Sequence, residues 1–141
     1  MTLETRAKFV KSTAIVLIVY SLLWGLASYP TLNLPARFIL DISDWPIDSL
    51  SKSLTRDMMW MSSISAGLLI AISIFFYGIV APAVLRADNA IIKSSIVALM
   101  MWFVVDSAGS IAAGVISNAI LNSFYLVLIL FPLIGIKAKV S

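Results

Sequence analysis

The chain has 141 residues, of which 61% are hydrophobic and only 12% are charged, and its formal net charge is +3. Soluble domains are about half apolar and a quarter charged, so this composition favours a membrane protein, and the length favours one domain over residues 1–141. Cysteine and histidine are both missing. Their absence excludes disulfide and thiol chemistry and removes the commonest general base and metal ligand, so we expect no enzyme activity, metal or cofactor.

Four stretches of the chain are apolar and close to the length of about 20 residues that a membrane span needs. In chain order they cover residues 12–29, 58–80, 94–115 and 119–136. The pattern therefore predicts an all-α integral membrane four-helix bundle. The last two stretches are separated by so few residues that we expect them to form an antiparallel hairpin. Pro82 is expected to end the second span and Pro132 to kink the fourth.

The first span also has features of a secretory signal peptide. It begins with basic residues, has an apolar centre and carries small residues at Gly25 and Ala27, two positions apart as a cleavage site needs. Its apolar stretch is longer than most signal cores, which favours a span that is retained in the membrane.

Residues 30–56 form the only sizeable extramembrane segment that the sequence predicts. The run Asp44-Trp45-Pro46 is typical of a helix start, because it places an acid before a proline of the first turn. Ile47, Leu50 and Leu54 then follow at helical spacing. This pattern predicts an interfacial helix that lies on the outer membrane surface and leads into the second span.

Lysine and arginine are distributed unevenly between the two ends of the predicted bundle. If both termini face the cytoplasm, seven of the ten basic residues lie inside, and Arg37, Lys52 and Arg56 lie outside. Cytoplasmic loops carry the excess of lysine and arginine, so both termini are predicted to be cytoplasmic. The basic residues lie at membrane edges rather than on one face, so we expect no nucleic-acid partner. The aromatic residues expected at the outer interface are Trp24, Tyr29, Trp45 and Trp60.

Asp106 is a carboxylate inside a run, residues 96–116, that is otherwise almost wholly apolar. A charged side chain within a membrane helix costs roughly 2.5–3.5 kcal/mol on insertion scales, so we expect it either to be paired with another polar group or to have a function. Its possible charge partners are Arg56 and Arg37. The polar cluster predicted around it, in the outer half of the bundle, consists of Asp106, Ser107, Ser110, Asn118 and Asn122. This cluster is either a set of contacts that hold helices together or a binding site.

Small residues recur at four-residue spacing along the predicted spans. Such spacing lets helix backbones approach closely, and hydroxyl groups can bond across the interface. The residues predicted to pack helices together are Ser63, Gly67 and Ala71 in the second span and Gly109 and Gly114 in the third.

Two segments carry a family resemblance. The first is the run Trp102-Phe103-Val104-Val105-Asp106-Ser107-Ala108-Gly109-Ser110, followed by Ala113-Gly114 and by Asn118 and Asn122; the second is the outer run Asp44-Trp45-Pro46-Ile47-Asp48. Both resemble segments of small bacterial four-span inner-membrane proteins of undetermined function. The resemblance covers most of the chain and implies a bacterial inner membrane and a four-span plan. It implies no activity, ligand or catalytic residue.

Two functions from different classes fit these features. The first is a non-enzymatic protein that acts by helix association, as accessory subunit of a membrane complex or as homo-oligomer, with the lipid bilayer and other membrane helices as partners. The alternative is binding or transport of a proton, a cation or a small molecule through an outward-facing polar cavity around Asp106. The sequence has no inverted repeat, which weighs against a transporter.

Overall fold

The structure is a computed structural model that describes residues 1–136. Those residues form helices and connecting turns, without a β-strand. The helices are α1 (Leu3–Gly25), α2 (Leu34–Ser43), α3 (Arg56–Phe75), α4 (Ala81–Arg86), α5 (Asn89–Ala112) and α6 (Ile116–Leu130). A 3₁₀ turn, Leu26–Ser28, extends α1, and a π-helical turn, Phe76–Val80, joins α3 to α4 without a break.

Three helical segments are long and apolar enough to cross a membrane, judged by length and composition alone: Leu3–Ser28, Arg56–Arg86 and Asn89–Ala112. The all-helical architecture is therefore confirmed, and a membrane protein is plausible. Helix α6 is also apolar but has 15 residues. At 1.5 Å per residue it covers roughly 23 Å, less than the hydrocarbon core of about 30 Å, so the count of four spans stays a prediction.

The long helices begin two to nine residues before the apolar stretches that predict them. Each begins at a side chain that accepts hydrogen bonds from free backbone N–H groups of the first turn, which stabilises the helix start. These caps are Thr2, bonded to Thr5 N, Thr55, bonded to Met58 N, and Asp88, bonded to Ala90 N and Ile91 N. Hydropathy marks the apolar part of a helix and does not report these polar first turns.

One end of the bundle, here called the core end, holds the main buried apolar cluster. The cluster consists of Ala7, Val10, Val80, Ala81, Val84, Ile92, Leu99 and Leu133. It therefore joins the start of α1, the α4–α5 turn and the segment that follows α6. Arg6 Nη1 closes this end by donating to the carbonyl oxygens of Pro132 (3.0 Å) and Ile134 (2.6 Å). The two ends of the described chain thus lie together.

The opposite end, here called the loop end, is built from α2, residues 44–55 and the α5–α6 turn. Ser117 connects these parts: its Oγ accepts from Trp45 N (3.0 Å) and donates to the carbonyl oxygen of Ser43 (2.6 Å). The side chains of Tyr29, Trp45 and Trp60 are exposed there. Polar contacts gather toward this end and apolar packing toward the other, as the sequence predicts.

Pro82 does not end the second long helix, so that prediction is wrong. The helix continues to Arg86 and stops where Ala87 adopts the left-handed conformation, with φ of 52°. A proline inside a helix lacks its N–H and crowds the carbonyl four residues back, here that of Gly78. Gly78 lies inside the π-helical turn, whose wider backbone relieves that conflict. Helix α6, in turn, ends at Leu130 rather than kinking at Pro132.

The interfacial helix predicted over residues 46–55 is also wrong, because that segment is not helical. The helix between the first two long helices is α2 instead, and its side chains hold the segment in another shape. Asp41, 5% exposed, accepts from Asp48 N (3.4 Å) and Ser49 N (3.1 Å). Arg37 Nη1 donates to the carbonyl oxygen of Leu50 (2.7 Å). Backbone groups that a helix would have paired internally are thus bonded to α2.

The contacts of Asp41 yield a testable expectation. Asp41→Ala should free the backbone of residues 48–49 and cost about 1.5–3 kcal/mol of local stability, since hydrogen bonds to a charged group are lost. Tryptic cleavage after Lys52 in detergent should then become at least several-fold faster. Asp44→Ala removes the same charge at an exposed neighbouring position and serves as the control. Equal cleavage rates in the two variants would show that Asp41 does not hold this segment.

The packing face of α3 differs from the predicted small-residue ladder. Ser63 does contact the 3₁₀ turn that extends α1, where its Oγ lies 2.7 Å from Ser28 Oγ. Gly67 and Ala71 are exposed, and the buried side chains of α3 are Ser62, Ala66 and Ser73. A strict four-residue ladder rotates about 40° per step around a helix of 3.6 residues per turn, so it leaves the contact face after one step.

The two predicted packing glycines of the third span do not pack within the described chain either. A Cβ atom added at Gly109 would meet nothing within 4 Å. Gly114 lies beyond α5 in the turn, with φ of +84°, a left-handed conformation that glycine adopts without strain. Its role is to reverse the chain rather than to pack a helix.

Candidate functional site: the polar cluster of the α5–α6 hairpin

Helices α5 and α6 form an antiparallel hairpin whose polar residues face each other. The connection is short, from Ala113 to Val115, and it is fixed by the bond from Val115 N to the carbonyl oxygen of Ser110 (2.8 Å). Since α5 packs mainly on α6 while α3 packs mainly on α1, the hairpin is one structural unit. This arrangement confirms the predicted hairpin.

Asp106 makes its hydrogen bonds within the hairpin. Its Oδ1 accepts from Ser110 Oγ (3.3 Å) and from Asn118 Nδ2 (3.2 Å). Asn118 Nδ2 also donates to Ser110 Oγ (2.8 Å), so the three side chains form a closed triangle. The carboxylate is half-buried. Asn118 is therefore the residue that links Asp106 to the neighbouring helix.

A second polar pair lies one turn away along the same interface. Asn122 Nδ2 donates to Ser107 Oγ at 3.4 Å, and both side chains are buried. The structure thus brings all five residues of the predicted cluster to one interface. Asn122 pairs with Ser107 rather than with Asp106. Asn118 bonds to Asp106 instead, and its amide also reaches Ser110, one turn along α5.

The predicted charge partners do not reach Asp106. Arg37 is engaged with the carbonyl oxygens of residues 50 and 52. Arg56 is exposed at the first residue of α3, which packs on α1. The ion pair that forms within residues 1–136 joins Lys8 Nζ to Glu4 Oε1 at 2.8 Å. The predicted pairing of Asp106 with an arginine of this chain is therefore wrong.

Sequence reasoning missed Ser117 and Asp41, which fix the loop end against the hairpin. No periodic pattern signals either residue, because each bonds to backbone groups of a segment distant in sequence. Counting outward in equal steps from Gly114 predicts only part of the hairpin register. It brings Ser110 opposite Asn118, as observed, but it brings Asp106 opposite Asn122, which instead bonds to Ser107.

Two of the cavities on the described chain lie away from the polar cluster. A groove of about 440 Å³ between α3 and α5 is lined by Ile72, Phe75, Phe76, Ala90, Ile91, Ser94, Ser95 and Ala98. A recess of about 250 Å³ at the loop end lies between α1, α2 and α6 and is lined by Tyr20, Leu23, Pro35, Phe38, Ile39, Ile42, Ser43, Leu121 and Tyr125. A polar cavity around Asp106, which the transport alternative requires, stays a prediction.

The fold and this cluster define a class: an all-helical protein with three membrane-length helices and a hydrogen-bonded carboxylate inside a helical hairpin. Residues 1–136 hold no group of three acidic side chains close enough to bind a metal ion. Comparison of the chain with protein-family models, with curated proteins and with solved structures gives no match. The resemblance to small four-span proteins therefore stays a prediction.

Proposed function

We propose that this chain is a non-enzymatic integral membrane protein that acts by associating with other membrane helices, as accessory subunit of a complex or as homo-oligomer. The observation that carries the proposal is how little of its apolar surface is used internally. In the most apolar stretch of α5, 11% of the residues are buried within the described chain, and in that of α3–α4 the share is 28%.

Small residues on these exposed faces distinguish association from simple contact with lipid. Gly67 and Ala71 on α3 and Gly109 on α5 are exposed, and neither glycine has a neighbour within 4 Å of an added Cβ. Lipid tails cover bulky apolar side chains equally well, whereas small residues let a second helix backbone come close. These residues, predicted to pack helices, would do so between chains.

The membrane arrangement that fits this proposal has four spans, with both termini in the cytoplasm of a bacterial cell and the loop end outside the inner membrane. The N-terminal residues and Pro132 meet at the core end, which agrees with an even number of crossings. Tyr29, Trp45 and Trp60 are exposed at the loop end, where amphipathic rings favour the interface. The excess of lysine and arginine on the side of the termini supports the same orientation.

Gly67→Leu and Gly109→Leu test the proposal, because leucine would hold a second helix away without disturbing the chain's own contacts. We expect each variant to fold like the parent and to associate about tenfold more weakly, a change of about 1.4 kcal/mol. The mass of the protein in mild detergent and cross-linking in membranes measure this. Val97→Leu, at an exposed position of α5, is the control. A parent protein that is a single chain in both measurements would overturn the proposal.

A further inference from the structure

We propose that Asp106 is the docking point for a lysine or arginine carried within a membrane-spanning helix of a different polypeptide. This inference rests on the proposed function and adds the chemistry of the partner. It starts from a half-buried, incompletely satisfied carboxylate next to an exposed apolar helix face. Acids within membrane helices are rare and need a compensating group, so the nature of the missing group is informative.

One oxygen of the Asp106 carboxylate accepts hydrogen bonds from the described chain, and the other accepts none from it. Both of its hydrogen bonds within residues 1–136 reach Oδ1, from Ser110 and from Asn118. No donor in this part of the chain reaches Oδ2, which is not among the buried unpaired polar atoms either. Since Asp106 is half-buried, Oδ2 lies at the surface of the hairpin. A carboxylate oxygen can accept two hydrogen bonds, so Oδ2 has room for a donor from outside.

The depth of Asp106 places this open oxygen within the apolar part of α5. The helix ends at Ala112, so Asp106 lies six residues, or about 9 Å, from its end. Val105 beside it is 67% exposed, and Trp102, one turn earlier, is also at the surface. A carboxylate among such neighbours is stabilised most by an opposite charge, because Coulomb attraction is strong where water is excluded.

The described part of this chain supplies no cation to Asp106. Within residues 1–136, no lysine or arginine lies within 4.0 Å of Asp106. Among the lysines and arginines of the described membrane-length helices, Arg56, at the first residue of α3, is the one nearest to the loop end. A second copy in the same orientation would present Arg56 at the membrane edge rather than one and a half turns deeper, at the level of Asp106.

The surface next to Asp106 is shaped for the close approach of a helix. Gly109 lies three residues on, and a Cβ atom there would meet nothing within 4 Å. A partner backbone can therefore approach α5 at the same level as the open carboxylate oxygen. Close approach shortens the reach that a partner's lysine or arginine needs, so the small residue and the acid together favour a basic helix over a lipid tail.

The test uses a photo-crosslinking amino acid at position 105 of the full-length chain, in intact membranes, with the cross-linked peptide identified by mass spectrometry. We expect an apolar helix with a lysine or arginine within one turn of the cross-link. Asp106→Lys should reduce the yield at least tenfold, and changing the partner's basic residue to aspartate should restore it. Asp106→Asn, which keeps an oxygen to accept from Ser110 and Asn118, should also lower the yield, whereas the matched change Asp57→Asn should not.

The possible failures separate this inference from the proposed function. A cross-link to a second copy of this chain, or to a helix without a basic residue, overturns the inference and leaves helix association standing. So does a yield that Asp106→Asn leaves unchanged. A product that contains only lipid, together with a single-chain mass in mild detergent, overturns both.

Discussion

Replacing Leu133 with alanine is expected to lower the free energy of unfolding by about 2–3 kcal/mol. Leu133 is 1% exposed and packs into the buried cluster of the core end, where α1, α4 and α5 meet. The value lies at the low end of the range for buried leucines in water, because removal of apolar surface from lipid contributes less than its removal from water. The lost contacts and the remaining cavity provide the rest. Thermal or denaturant unfolding in detergent, followed by circular dichroism, measures the change.

Ile134→Ala is the control for that experiment. Ile134 follows Leu133 directly but is 57% exposed, so the same kind of truncation should cost less than about 0.5 kcal/mol. If the two variants unfold alike, Leu133 does not pack in the core end, and the closure of the bundle by the segment after α6 would be refuted.

Ala66→Leu is the substitution expected to be most damaging at the contact between α1 and α3. Ala66 is 2% exposed, and a Cβ atom added at Gly25 of α1 would lie only 3.6 Å from the Cβ of Ala66. Three extra carbon atoms have no space there, so the helices must separate, and the hydrogen bond between Ser28 and Ser63 lengthens. We expect a loss of about 1–3 kcal/mol, the usual cost of overpacking, measured by the same unfolding transition.

Gly67→Leu supplies the comparison at the adjacent position, where an added side chain meets open space. Its unfolding transition should match that of the parent within about 0.5 kcal/mol, although its association with other helices should weaken. If Ala66→Leu leaves the transition unchanged, the described contact between α1 and α3 is incorrect.

Hydropathy was a good guide to the helices and a poor guide to their ends. Each predicted span overlaps an apolar helix, because a bilayer-length run of apolar residues has few other ways to satisfy its backbone. The starts were misplaced since caps such as Thr2 and Thr55 begin a helix in polar sequence. Pro82 was misread for a related reason, as a π-helical turn absorbs the strain that a proline usually resolves by ending the helix.

The sequence predicted which residues the polar cluster contains, but it did not predict which of them are hydrogen-bonded to each other. Four-residue spacing placed Asp106 and Ser110 on one face, and the short connection required that face to meet Asn118 and Asn122. Which asparagine reaches Asp106 depends on how the two helices are tilted against each other. Residue spacing along one helix gives no information on that tilt. The predicted pairing of Asp106 with an arginine was wrong, because charge alone does not show that Arg37 donates to a backbone carbonyl oxygen of a nearby loop.

The hydrogen bonds from Arg6 to the carbonyl oxygens of Pro132 and Ile134 have a consequence for how the protein is made. Arg6 leaves the ribosome 126 residues before Pro132. The guanidinium and its acceptors therefore meet only after residues 132–134 have been synthesised. A nascent chain arrested before Pro132 lacks both Leu133 and the acceptors of Arg6. In such a truncated product the core end is not closed, and its helices are exposed to quality-control proteases.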